Sequence, residues 1–398
     1  MSPDTLQKDA RELAGRTIEI RRDLHAHPEL GFRETRTAAK ISETLSELGI
    51  EHRTGVAQTG VLATIRGAAP GPTVALRADM DGLPIVEKTE NPARSENHGV
   101  MHACGHDGHV SILLGAASLL QSRRKDFAGT IRLAFQPAEE GLGGAVPLLE
   151  QGALDDPRAD AAFALHIWNS TPAGQIAIGS GPVMAAADEF SIKVIGRGGH
   201  GSQPQATIDP VVAATQIVAA LQSVVNRNID PLDPAVLTVA TIHGGTAHNV
   251  IPAEVEMTGT IRSFRAEVRD TLVARLREVA EGTARALGAR AEVHVGFGYP
   301  VTENHAAMSD FARTVATATV GAANVVNARP VMGAEDFSYF LKRVPGCMVF
   351  LGSNNAAKGL AHPHHSALFD FDEACLPIGV EMMARLALDY LAKGRASA

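Results

Sequence analysis

The sequence predicts an α/β protein with a smaller α+β domain inserted into it. Apolar, strand-like runs at 61–66, 73–77, 130–136, 161–166 and 347–352 are interleaved with helical patterns at 35–48, 110–120 and 308–320. That alternation is the signature of a largely parallel sheet. Residues able to do chemistry follow the ends of these runs, where open α/β sheets hold their ligands. The stretch 187–297 reads by itself as strand, helix, strand, strand, helix, strand, the split βαββαβ unit of ferredoxin-like folds. The expected organisation is therefore a discontinuous catalytic domain, 1–181 with 298–398, and an inserted domain, 182–297.

Composition narrows the partners. The 398 residues give room for two cores. The 45% hydrophobic and 20% charged content is ordinary for a soluble chain. A net charge of −8 with no basic block argues against nucleic acid or an anionic membrane as the main partner. The opening Met1-Ser2-Pro3-Asp4-Thr5-Leu6 has neither a basic nor an apolar leader region, so no signal peptide is expected. No apolar run reaches the ~18 residues of a membrane helix. Cys104, Cys347 and Cys375 make no disulfide framework, and the cytoplasm is the expected location.

Residues 3–23 carry Leu6, Ala10, Leu13, Thr17 and Ile20 at spacings of three and four, which predicts a helix. His25 and His27 follow it before a Pro28-Glu29-Leu30-Gly31 turn, and structural or supporting roles are expected for both. The strand at 73–77 runs into Asp79-Met80-Asp81, and Asp79 is placed to orient a metal-binding histidine. Next comes Met101-His102-Ala103-Cys104-Gly105-His106-Asp107-Gly108-His109, on a loop entering an apolar helix. In an extended segment, side chains at i and i+2 share a side. Cys104 and His106 would then offer a thiolate and an imidazole to one divalent transition metal. The strand at 130–136 ends in Pro137-Ala138-Glu139-Glu140. Of two adjacent carboxylates, one can bind metal while the other takes a proton from water. The strand at 161–166 ends in His166.

In the inserted stretch a glycine-rich loop, Gly196-Arg197-Gly198-Gly199-His200-Gly201-Ser202, precedes a helix at 209–227 with Val211, Thr215, Val218, Leu221 or Gln222, and Val225 on one face. The strand at 254–262 alternates, with Val255, Met257, Gly259 and Ile261 on one side. Beyond 298 come a glycine turn at 332–338, a histidine-rich loop at 361–373 and a final helix at 376–391. Donors on four separate segments, with one spare carboxylate, fit two metals with open positions better than two closed structural sites. That is the equipment for metal-assisted hydrolysis of an amide.

Together with Arg77-Ala78-Asp79-Met80-Asp81, Gln136-Pro137-Ala138-Glu139-Glu140, Leu165-His166, Gly198-Gly199-His200-Gly201-Ser202, His248-Asn249-Val250-Ile251-Pro252 and Met332-Gly333-Ala334-Glu335-Asp336-Phe337, the Cys104 loop resembles the M20 family of metallopeptidases. Within it the chain looks like the amidohydrolase branch of hippurate hydrolases, N-acyl-amino-acid amidohydrolases and auxin-conjugate hydrolases. The resemblance implies a zinc-peptidase-like three-layer catalytic domain with a ferredoxin-like lid and dimerisation domain. It implies Cys104, His106, Glu140, His166 and His365 as ligands of two divalent ions (zinc, manganese, nickel or cobalt) and Glu139 as general base. By the same resemblance His200 binds the oxyanion, and Asn249 and Arg262 hold the carboxylate of an N-acyl amino acid substrate. The chain departs from the family at His364-His365-Ser366-Ala367, with Ala367 where proline is common; the spacing to Phe369 favours His365, with His364 and His362 as alternatives.

A homodimer through the lid, with His200 acting across the interface, is expected, because an exposed edge strand is covered by a second copy. An M20 dipeptidase or aminopeptidase is the nearest rival activity. A Cys104 nucleophile would leave Glu139, Glu140, His166 and His365 without a task, and a non-catalytic binding protein would not need Glu139.

Overall fold

The computed structural model describes residues 3–396. Met1 and Ser2, which open the leader reading, lie outside them. The chain divides into two units: residues 1–183, 303–329 and 336–398 form one, and residues 184–302 with 330–335 the other. The short segment 330–335 was expected in the larger unit. It groups with the smaller because Val331 bridges Met184 and because the Ala185 N–H donates to the carbonyls of Val331 and Gly333.

The larger unit is built on an eight-stranded mixed sheet, in the order Glu51–Val56, Gly60–Arg66, Thr130–Gln136, Thr73–Asp79, Ala161–Pro172, Gly346–Asn354, Ile176–Ile178, Val325–Asn327. The four central strands, Thr130–Gln136 to Gly346–Asn354, run parallel. They are the apolar runs of the sequence, and Val74, Leu76, Ile131, Leu133, Phe135, Phe163, Val349 and Leu351 are buried among them. From Thr73–Asp79 the chain crosses to Thr130–Gln136 on one side and later returns to Ala161–Pro172 on the other. The order reverses there, the kind of position at which open α/β sheets hold their ligands. The strand that was expected to stop at His166 continues to Pro172, so His166 lies inside it, opposite Phe350 of its parallel neighbour.

The helix His106–Ser122 is buried along almost its whole length, from His106 to Leu120. Its all-round apolar sequence is the pattern of a helix with no solvent face. The first helical pattern is two helices, Pro3–Glu12 and Ala14–Ala26, so His25 sits on a helix rather than at the turn.

The smaller unit is an antiparallel sheet in the order Ala235–His243, Glu254–Ser263, Ala186–Ile195, Arg290–Phe297. The helices Pro210–Asn228 and Ala266–Ala286 share its core with Phe190, Ile192, Val255, Met257 and Ile261. Asp209 caps the first helix, accepting from the N–H groups of Val211 and Val212, with Pro210 at the position where a missing N–H is harmless. The buried residues of that helix include Ala213, Ile217, Leu221 and Val224; of the expected stripe Leu221 is among them, Val218 and Val225 pack half-buried beside them, and Val211 and Thr215 are exposed. The small alanines let the helix approach the sheet, and Val211 and Val212 stay exposed.

Candidate metal centre

Cys104 and His106 meet through a turn, not through strand alternation. Gly105 has φ 88° and caps the helix of which His106 is the first residue. A side chain at Gly105 would be strained by that φ and would bring its Cβ to 3.3 Å from Ile167 Cβ. The Cys104 Sγ comes to 3.6 Å from His166 Nε2.

Each imidazole is aimed by what holds its other nitrogen, the usual support of a metal-binding histidine. His106 Nδ1 lies 2.9 Å from the Asp81 carbonyl and 3.3 Å from Asp81 Oδ1, so it donates there and Nε2 is the nitrogen turned to the cluster, a ligand atom when the ring is neutral. That Nε2 is buried without a hydrogen-bond partner, 3.7 Å from Asp79 Oδ2 and 3.9 Å from Glu140 Oε1. His166 Nδ1 donates to the Ile167 carbonyl at 2.6 Å, again freeing Nε2. Burial holds His166 well below the ordinary imidazole range, and so neutral. Burial also opposes charge on His106, but Asp79, Asp81 and Glu140 outweigh it and push that imidazole up to about 10. A field that strong favours positive charge at the cluster.

The carboxylate that reaches His106 Nδ1 is that of Asp81. Its Oδ1 faces His106, and its Oδ2 accepts the Glu140 N–H at 3.0 Å. Asp79 is bound instead by Arg77 Nη1 at 2.6 Å and by His109 Nδ1 at 2.5 Å. His109 Nε2 in turn accepts the Ile167 N–H at 2.8 Å. Both His109 nitrogens are thus engaged, which makes it a strut despite lying within 4.8 Å of the donor atoms of Asp79, His106 and His166. The remaining donors of Arg77 reach Gln136 Oε1 at 2.9 Å and Asp336 Oδ1 at 2.9 Å, and Gln136 also binds Asp336. The sequence motifs around Arg77, Gln136 and Asp336 therefore form one buried brace behind the site.

Glu139 and Glu140 diverge. Cys104, His106 and Glu140 bring their donor atoms within 4.8 Å of one another, while a Glu139 carboxylate oxygen lies within 4.8 Å of one from Asp336. The turn before them is set by Ala138, left-handed at φ 55°, whose N–H donates to the buried Glu34 at 2.8 Å. Of the three loop histidines, His365 reaches the cluster, its Nε2 being 3.2 Å from Glu140 Oε1. Its backbone is also left-handed, φ 64°, and its N–H donates to the Ala103 carbonyl at 2.8 Å. His364 Nε2 accepts the Asn169 N–H at 3.1 Å, and His362 is exposed with its carbonyl on Asn169 Nδ2. The structure thus gathers Cys104, His106, Glu140, His166 and His365. These soft, borderline and hard donors, with His106 Nε2 buried and lacking a hydrogen-bond partner, fit a divalent cation site.

In the smaller unit His200 and Asn249 lie together. The two-residue strand Gly199–His200 pairs with Val250–Ile251, and Gly201 N–H donates to the Asn249 carbonyl at 2.8 Å. Arg262 does not join them. Glu254 begins the next strand beyond that ribbon, and Arg262 stands eight positions further along it, roughly 26 Å at ~3.3 Å per residue.

Fold and donors together define a metal-dependent hydrolase of the α/β class. Residues 75–389 match peptidase family M20/M25/M40, and the chain belongs to that family. It is 44% identical to thermostable carboxypeptidase 1 of Saccharolobus solfataricus, over 97% of this chain and 98% of that one. It is 42% identical to N-acetylcysteine deacetylase of Bacillus subtilis, over 94% and 97%. The solved structure of Bacillus subtilis YXEP protein, described as a dinuclear metal binding peptidase of the M20 family, superposes with a TM-score of 0.84 at 38% identity, over 96% and 99% of the two chains.

Proposed function

We propose that this chain hydrolyses the amide bond of N-acyl amino acids, releasing a carboxylic acid and a free amino acid. The observation that carries the reading is the convergence of Cys104, His106, Glu140, His166 and His365, with His106 Nε2 buried and without a hydrogen-bond partner. In this reading they hold two divalent ions, zinc, manganese, nickel or cobalt. Such ions supply Lewis acidity and lower the pKa of water. Glu139, turned away from the donors, takes the proton of the attacking water and delivers it to the leaving nitrogen. His200 donates to the carbonyl oxygen as it becomes an oxyanion.

His200 and Asn249 lie at the ribbon of Gly199–His200 and Val250–Ile251, and Arg262 lies on the strand Glu254–Ser263; in this reading a second copy of the chain completes substrate recognition. His200, beside Asn249, then serves the site of a partner. The edge strands Ala235–His243 and Arg290–Phe297 give the smaller unit a surface on which a second copy can pair. In the larger unit the exposed large hydrophobic side chains among the described residues are Val86, Leu142 and Leu368. Leu142 follows Glu140, Leu368 follows His365, and Lys88 N–H binds the Ala367 carbonyl. An apolar rim of this kind favours an apolar acyl group.

A second reading, cleavage of small peptides, has in its favour the likeness to a chain named a carboxypeptidase. A panel of N-acetyl, N-benzoyl and indole-acyl amino acids beside dipeptides, assayed on metal-reconstituted protein, separates the two. Turnover of dipeptides alone refutes the proposal. Mixing His200→Ala with Glu139→Gln subunits tests the trans arrangement. A heterodimer then keeps one intact site and regains activity, and no recovery after proven exchange refutes it.

A further inference from the structure

We infer that the turn Gly199–Ser202 fixes His200 as the neutral tautomer protonated at Nε2, and that Ser202 is its positioning residue. The inference rests on the reading of His200 as an oxyanion donor and says how that donor is prepared. Two groups of Ser202 converge on His200 Nδ1: the backbone N–H at 3.1 Å and the hydroxyl Oγ at 2.8 Å. A backbone amide can only donate. Nδ1 must therefore present its lone pair, and in a neutral ring the proton then sits on Nε2. Protonating Nδ1 would set one N–H against another.

The backbone gives the ring little freedom to escape this contact. His200 is paired with Val250, its carbonyl accepts the Gln203 N–H at 2.9 Å, and Gly201 N–H holds Asn249. A Cβ at Gly201 would come within 3.1 Å of the Asn249 carbonyl group, so the turn depends on glycine there. The Gly-His-Gly-Ser order follows from this. Glycine lets the strand close on Asn249, and serine two residues on faces the ring it must cap. The consequence is one of sign. With Nδ1 capped, the exposed Nε2 meets an incoming carbonyl oxygen with a hydrogen. The other tautomer would meet a developing negative charge with a lone pair.

The test reads the ring directly. Long-range ¹⁵N–¹H correlation spectra of the metal-loaded, full-length protein report the protonation of each histidine nitrogen. The His200 signals are those absent from His200→Gln. The expected result at neutral pH is an unprotonated Nδ1 and a protonated Nε2. Ser202→Ala keeps the amide but loses the shorter bond. It should move the Nδ1 signal toward the tautomer average and lower kcat about tenfold with little change in KM, below the ~10²–10³-fold loss of a whole oxyanion donor. Ser202→Thr should restore both. A protonated Nδ1 in the native protein overturns the inference, as does Ser202→Ala with unchanged spectrum and kcat. Full kcat in His200→Gln would overturn the donor reading instead, a failure the spectrum distinguishes.

Discussion

Asp81→Asn tests the support of the metal centre with the least change of shape. Asp81 touches the cluster through three contacts: its carbonyl to His106 Nδ1 at 2.9 Å, its Oδ1 to the same nitrogen at 3.3 Å, and its Oδ2 to the Glu140 N–H at 3.0 Å. The carbonyl contact survives the substitution. An asparagine can keep one side-chain acceptor but must turn its NH₂ toward His106 Nδ1–H or toward the Glu140 N–H, donor against donor. The negative charge that favours a cation is lost as well. Losing an orienting partner of this kind weakens metal affinity ~10–100-fold, about 1.4–2.8 kcal/mol. The surviving backbone contact puts the expected value toward the lower end. Chelator competition, with metal content read by elemental analysis, measures the affinity of both proteins. Equal affinity in Asp81→Asn would show that the carbonyl and the ligands themselves orient His106, and the argument from the side chain would fail.

Arg21 is buried against Asp107, at 2.7 Å, and pairs also with Asp370 and Glu373. Arg21→Met removes the cation from the buried Asp107 carboxylate and leaves it only His25 Nδ1, at 2.9 Å; it should lower stability by ~3–5 kcal/mol in urea unfolding, and a loss under ~1 kcal/mol contradicts the reading. A Cβ at Gly108 would lie 2.3 Å from Ile167 Cδ1 and 2.8 Å from Phe371 Cζ. Gly108→Ala should therefore destabilise by ~1–3 kcal/mol, and trimming Ile167 to Val should recover part of the lost Tm; no recovery rejects the clash. Burial pushes the Glu34 carboxyl above its ordinary value, against bonds from Thr59 and the Ala138 N–H. The folded chain thus holds that proton more tightly than the unfolded one, and the stability this confers is lost as pH rises through the folded pKa. The stability of the native protein relative to Glu34→Gln should fall as pH rises above the ordinary carboxyl range, and a rise there refutes it.

Much of the centre was legible because it sits at strand ends. The runs ending near Asp79 and Gln136 announced themselves by composition, and Cys104, His106, Glu139 and Glu140 follow them. What was hidden depends on tertiary crossings. Asp79 and Asp81 are two apart, so local pattern treats them alike. Only the path of the helix His106–Ser122 gives Asp81 to His106 and Asp79 to His109. Likewise the Arg77 to Asp336 contact joins positions 259 residues apart, which no local spacing announces. The face of the helix Pro210–Asn228 was read only in part because valines outweighed alanines in the pattern, whereas close approach to a sheet favours the smaller side chains.

The left-handed backbone at Ala138 bears on how this protein would respond to engineering. A residue with a Cβ at φ 55° is held there at a cost of order 1–3 kcal/mol, which the surrounding contacts offset. Glycine would occupy the same conformation without that strain, but with a looser unfolded chain and a slacker hinge ahead of Glu139 and Glu140. Selection for heat resistance alone is blind to the direction in which those two carboxylates point. Directed evolution of this chain therefore has to screen turnover alongside melting at position 138, since at that one residue the most relaxed backbone and the best-aimed carboxylates pull apart.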